Sequence, residues 1–436
     1  MRQTRTSWTM AVALMASSGA LAAEWEGLRL AREGAEGGKR RMSIVAPGRY
    51  KAAFETSNAD PKRWGEGLAG LYDLINDPEE RYNYTAPYPP PPDGGGVLCK
   101  IWGINFRLPG SREPLMLTDG KPAASVYAAS GSLEVIEANP VRVVIKRTGE
   151  CRRYGRLDLL AVDGVQMETT LAFYAPDRIY HRLAIVGTGR ELEVTTMEVV
   201  LHASHHRYTR GKTVRVDGWD KYTIAAPWTF APEDPGDGRG KTFVLLTPKP
   251  APLDHGDGTQ SRHRAGFLMA LHKERGRYGY SGSEFIGIRG SIHTENSVPD
   301  RVIAKGKRIE LCAVVHMNHE LASLQAAAPY VKQYREPGVP KCSKGGVVGD
   351  GFDEALGCYT LKADGNAADF EVPVNCHWPV FQIEDWSAAA PARLAVDGKD
   401  VAHGDQWLAC VEKGRLLVQL AGPCRGGTRI RIGGDR

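Results

Sequence analysis

The run LHASHHRYTR over residues 201–210 gathers His202, His205 and His206 ahead of Arg207 and Tyr208. These residue types suit two chemistries. Clustered imidazoles suit a zinc ion, which takes three or four ligands. Alternatively, His and Tyr exchange protons while the planar fork of Arg grips a carboxylate. On a strand, side chains alternate, which puts His202, Ser204, His206 and Tyr208 on one face and His205 and Arg207 on the other. Three histidines split in this way converge on one ion only across a bulge. Proton transfer is the more economical reading.

A second segment of the same kind, HKERGRYGYSG over 272–282, offers Arg277, Tyr278 and Tyr280, and Trp219, Lys221 and Tyr222 lie between the two. Together they match what β-elimination in a uronate polymer requires: a cation on the carboxylate, a base for the C5 proton and an acid for the leaving oxygen. His202, His206, Arg207, Tyr208, Tyr222, Tyr278 and Tyr280 are the catalytic candidates. Trp219, Lys221 and Arg277 are the substrate-binding ones, and Trp228 is a further ring suited to a sugar face. Elimination of this kind requires no cofactor. A divalent metal, Ca or Zn, is compatible, with His293, His316 and His319 as added imidazoles. Glu198, Glu284 and Glu310 are the carboxylates a glycoside hydrolase would need to pair. There is no G-x-S-x-G elbow, P-loop or dinucleotide glycine fingerprint.

The elements that must position these residues are strands. Fifty Gly and 27 Pro punctuate short β-branched runs, as in an all-β protein. The spacing predicts strands over 97–108, 125–136, 142–147, 168–173, 180–186, 192–202, 213–216, 242–246, 266–272 and 308–316. Asp163-Gly164 and the DPGDG run over 234–238 mark turns. One helix is predicted, capped by Asn318 with Leu321, Leu324 and Ala328 on one face and Pro329 at its end. Residues 336–351, rich in Gly, Pro and Lys, read as a linker. The expected fold is therefore a large two-sheet antiparallel β-sandwich over 24–335 and a small immunoglobulin-like β-sandwich over 352–436. Trp102 shares a face with Ile104 and Phe106 and is expected in the core.

A sandwich of that size resembles the galactose-mutarotase-like super-sandwich of sugar epimerases and of parts of polysaccharide lyases. That resemblance implies a carbohydrate substrate, whether the protein is a lyase, a hydrolase or epimerase, or a non-catalytic glycan-binding envelope protein. The segment over 70–84, GLYDLINDPEERYNY, is similar to a sulfatase segment, but no Cys/Ser-x-Pro-x-Arg nucleophile motif accompanies it, and a sulfatase is rejected.

Bulk properties set the compartment and exclude some partners. Arg2 and Arg5, the apolar run over 8–15 and Ala20-Leu21-Ala22 form a bacterial secretory signal over residues 1–23, so a periplasmic or secreted protein is expected. The h-region is too short to span a membrane. Removing two Arg from 56 Lys and Arg leaves 54 against 51 acids, a net charge of +3, which argues against nucleic acid as a partner. Eight cysteines in an exported chain favour disulfides, and five of them lie after residue 340.

Overall fold

The computed structural model describes residues 26–34, 39–56, 62–65, 67–75, 78–80, 83, 98–123, 126–153, 161–202, 207–209, 212–214, 243–246, 251–254, 260–263, 267–271, 277–280, 287–293, 302–317, 333, 336–389 and 391–434. The described backbone of the central part is mostly strand, as alternation and turn chemistry dictate. The predicted 192–202 strand is found as Leu192–His202, and the predicted 308–316 strand as Arg308–Met317. The helix predicted over 318–329 lies outside the described residues.

Twelve strands form one antiparallel sheet. Its middle runs, neighbour to neighbour, through Arg308–Met317, Arg178–Gly187, Ala161–Tyr174, Arg142–Arg153, Val126–Ala138, Leu98–Arg107 and Leu192–His202. Beyond Leu192–His202 come Gly287–His293 and Arg277–Tyr280 at that edge. A four-stranded antiparallel sheet, Arg29–Gly34, Arg40–Ala46, Tyr50–Glu55 and Gly70–Asp73, covers one face of the large sheet.

Alternation in the large sheet sorts side chains between two cores. Val143, Ile145, Leu171, Phe173, Ile179 and Val315 pack with Ile44, Ala52 and Phe54 of the four-stranded sheet. Their strand neighbours Val144, Ala172, Tyr174, Tyr180 and Val314 pack the other way, against Cys358, Val380, Leu408 and Leu417 of the carboxy-terminal unit. This is why segments such as RVVI and LAFY read as continuous apolar runs: both faces are buried. Each fully buried Leu, Ile or Phe stabilises the fold by about 1.5–3 kcal/mol.

The carboxy-terminal unit is a sandwich of two five-stranded sheets around a core that includes Phe370, Phe381, Trp386, Leu394 and Ile432. One strand pair within it, Cys358–Lys362 with Val380–Glu384, is parallel. The stretch read as a linker contributes strands of its own, Lys341–Lys344 and Gly346–Asp353, one to each sheet. Gly345, Gly349 and Gly351 take positive φ there, so glycines that suggested a loose connector instead shape a bent strand.

Polar groups also join the two units. Arg142 is fully buried and binds Glu137 at 2.8 Å and Gln382 of the small sandwich at 2.9 Å. Arg415 of the small sandwich reaches Glu137 at 2.7 Å. Burial alone would raise the Glu137 carboxyl, but the Arg142 hydrogen bonds and charge, with Arg415, hold it below the ordinary value.

Candidate functional site

The structure brings the start of the first sequence-predicted segment and part of the second onto strands that flank one common strand. Leu192–His202 pairs with Gly287–His293, with His202 opposite Gly287. Gly287–His293 pairs in turn with Arg277–Tyr280, placing Tyr280 opposite Ile288 and Tyr278 opposite Gly290. His202 and Tyr280 therefore sit at the same end of the sheet, two strand spacings or roughly 10 Å apart across it.

Period-two alternation does not continue from His202 to Tyr208. The ladder ends where its partner begins, at Gly287, and Arg207–Thr209 pairs instead with Lys212–Val214 in a separate two-stranded sheet. His202 and Tyr208 thus belong to different sheets, not to one strand face. His206, Trp219, Lys221, Tyr222 and Trp228 lie outside the described residues, as does the side chain of Trp102, whose neighbours Ile104 and Phe106 are buried.

His206 and His319 lie outside the described residues, and register separates two of the remaining candidate imidazoles. His293 pairs with Thr196, six residues or roughly 20 Å along the strand from His202, too far to share an ion. His316 is fully buried and bonded through Nε2 to Asp177 Oδ2 at 2.8 Å. Among the described residues no group of three or more His, Cys, Asp or Glu is placed to hold a metal. Glu310, a candidate hydrolase carboxylate, is hydrogen-bonded to Arg182 and ion-paired with Arg308.

Among the described residues, one concave site is made by residues that sequence reading passed over. A cavity of about 500 Å³ opens where the Arg29–Gly34 and Arg40–Ala46 hairpin meets the Val126–Ala138 strand, lined by Arg32, Arg40, Arg41, Trp64, Leu133 and Val135. Its size falls in the range of small-molecule sites. Trp64 is held by reciprocal backbone bonds to Gly131, with Trp64 N donating to Gly131 O at 2.8 Å and Gly131 N to Trp64 O at 2.9 Å. The Arg40 guanidinium lies 5.4 Å over the indole and donates to the Lys62 carbonyl at 3.0 Å, so ring and cation are fixed together. Arg41 faces Glu55 at 3.8 Å. Among the described residues that is the one carboxylate paired with the three arginines, so the described part of the lining carries net positive charge. The clue in the sequence was the run Lys62-Arg63-Trp64-Gly65, basic and aromatic like the segments singled out further along.

Strand polarity puts this cavity at the same end of the sheet as His202 and Tyr280. Ile104 pairs with Val126. From there one strand runs forward toward Leu133 as its neighbour runs back to Leu98, the partner of Leu201. A second cleft of about 360 Å³ lies along Lys62, Arg63, Gly131, Ser132, Thr148 and Glu150. Hydrogen bonds from Arg152 hold the Glu150 carboxyl below its ordinary value, aided by Arg63, so it serves there as an anion and not as an acid.

A polar cluster at the seam between the two units is enclosed. The hydrogen-bonded Asp177 and His316 are joined to His377 by stacking of the two imidazoles, 5.8 Å between ring centroids at 27°, and Arg178 donates to the Trp378 carbonyl. Burial would raise Asp177, but His316 and Arg178 keep it below the ordinary value. Burial lowers His316 despite Asp177. The two directions agree on a carboxylate accepting from a neutral imidazole. With both side chains at zero exposure, this cluster fastens the units together and meets no substrate.

No protein-family model matches the chain, and a search of curated proteins finds no match. Among solved structures, the chain is similar to galactose 1-epimerase from Lactobacillus acidophilus NCFM (TM-score 0.30, 8% identity, 67% of this chain and 98% of that one). It is also similar to an aldose epimerase homologue from C. elegans (TM-score 0.30, 10% identity, 63% and 97%). A third is 4-alpha-glucanotransferase from Thermococcus litoralis (TM-score 0.29, 10% identity, 66% and 40%). Overlap at this level fixes neither a shared site nor a shared chemistry.

Proposed function

We propose that this chain is an exported carbohydrate-active enzyme that acts on an acidic glycan, and that its reaction is β-elimination at a uronate residue. The observation that carries the reading is the cavity lined by Arg32, Arg40, Arg41 and Trp64. Guanidinium forks neutralise a sugar carboxylate, and an indole offers a flat apolar surface to the ring. Neutralisation lowers the cost of removing the C5 proton, because the charge that develops spreads onto the carboxylate. In this reading the proton acceptor and donor are drawn from His and Tyr residues of the same large sheet, His202, Tyr278 and Tyr280 foremost, with His202 on the second strand over from Val126–Ala138. Arg277 belongs to the same edge.

The test is incubation of the purified protein with a panel of acidic polysaccharides, following the ultraviolet absorbance of an unsaturated uronate. Absorbance is expected to rise, and Arg40→Ala with Arg41→Ala is expected to lower kcat/KM roughly tenfold to a hundredfold, as loss of charge-assisted hydrogen bonds does. Reducing ends released without absorbance would replace elimination with hydrolysis. Absorbance that persists unchanged in the double variant would remove the cavity from the reaction.

A further inference from the structure

Cys376 lies in the short strand Cys376–His377, and its register partner in the antiparallel strand Pro423–Cys424 is Cys424. Facing residues on antiparallel strands have Cα atoms about 4.5–5.5 Å apart, inside the disulfide window of about 4.4–6.8 Å. Both residues are buried in the core of the small sandwich. The register is fixed on either side: Trp378 N donates to Gly422 O at 2.8 Å, and Gly426 N to Asn375 Oδ1 at 2.9 Å. The other described cysteines are placed differently. Cys342 is opposite Phe370, Cys312 opposite Arg182, and Cys410 opposite Leu417. Cys151 belongs to the core beneath the four-stranded sheet, and Cys358 packs at the seam, 3.5 Å from Arg142 Nη1.

We propose that Cys376 and Cys424 form a disulfide that clamps the segment by which the small sandwich docks on the large sheet. That segment is His377-Trp378. His377 stacks on His316, its backbone N–H is held by Gln333 Oε1 at 3.0 Å, and the Trp378 carbonyl accepts from Arg178. A bridge at Cys376 immobilises the residue that precedes both docking groups. The ring it closes is long, which is where cross-linking restrains an unfolded chain most.

The oxidant is a small or protein disulfide, such as oxidised glutathione or a thiol oxidoreductase. One thiolate attacks the oxidant's S–S bond to give a mixed disulfide and release one thiol. The second cysteine then displaces the other half, so the chain gives up two protons and two electrons and the oxidant becomes two thiols.

Peptide mapping of the full chain, oxidised with glutathione disulfide and alkylated without reduction, tests the pairing. The expected product is a peptide holding Cys376 cross-linked to one holding Cys424. Alkylation of both thiols, or a bridge from either one to another cysteine, overturns the proposal. Dithiothreitol should lower the melting temperature of the oxidised wild type by roughly 5 °C or more. The same reagent should leave Cys376→Ser/Cys424→Ser unmoved. A wild-type melting temperature indifferent to reduction overturns the clamp, and mapping on the wild type stands even where the variant folds poorly.

Discussion

His181 shows what one residue reports about this core. It is fully buried on the Arg178–Gly187 strand, and neither ring nitrogen meets a hydrogen-bonding partner among the described residues. Burial, with the nearby Arg147 charge, pushes the imidazole down to about 3. The folded chain thus refuses a proton that the unfolded chain accepts below the ordinary value of 6.5. Its contribution to stability is full above that value and is lost as pH falls toward 3, at up to about 1.4 kcal/mol per pH unit. His181→Leu should remove that slope. Urea unfolding of both proteins from about pH 7, above that window, down to about pH 4, within it, should show the variant gaining on the wild type as pH falls. A constant difference between them would refute a neutral buried His181. Sequence alone marked His202 and His206 and left His181 unremarked, because nothing in IYHRLAI tells an inward from an outward imidazole until both faces of the sheet are known to be covered.

At the scale of elements, the cavity depends on how the 62–65 segment meets the Val126–Ala138 strand. Gly131 is the joint. A Cβ there would lie 1.8 Å from the Thr148 carbonyl oxygen, closer than any packed pair tolerates, and the same residue exchanges both backbone bonds with Trp64. Gly131→Ala should cost about 1–3 kcal/mol as overpacking does and should loosen Trp64. Hydrogen exchange measured by mass spectrometry over residues 62–65 is expected to accelerate, while exchange in the small sandwich stays unchanged. Protection equal to the wild type would show that Trp64 does not need this joint. The strands themselves were legible from alternation and turn residues. The cavity was not, since Arg32, Arg40 and Arg41 come from one hairpin, Trp64 from a connector, and Leu133 and Val135 from a strand some 70 residues further along.

For the whole molecule, the two sandwiches share a core, with Val144, Tyr174 and Tyr180 on one side and Cys358, Val380 and Leu417 on the other. A shared core predicts shared unfolding: calorimetry should show one transition. Gly357 sits at this seam with φ at +63°, and a Cβ on it would lie 2.2 Å from the Tyr180 ring. Gly357→Ala should therefore uncouple the units by about 1–3 kcal/mol and split the endotherm in two. A single, unshifted endotherm in the variant would mean that the seam does not couple them.

The sequence by itself determined the strand class, the middle strands of the large sheet and the small sandwich, because alternation and turn chemistry are local properties of the chain. It also marked two His/Arg/Tyr segments 70 residues apart as chemically alike. Only the tertiary structure decided that Leu192–His202 and Arg277–Tyr280 flank one common strand, that the apparent linker supplies strands, and that Cys424 faces Cys376. It also decided that a cavity of small-molecule size, lined by three arginines, forms around Trp64. Register, sheet order and the covering of a second face are set by contacts between distant segments, and their energies do not appear in any single stretch of residues.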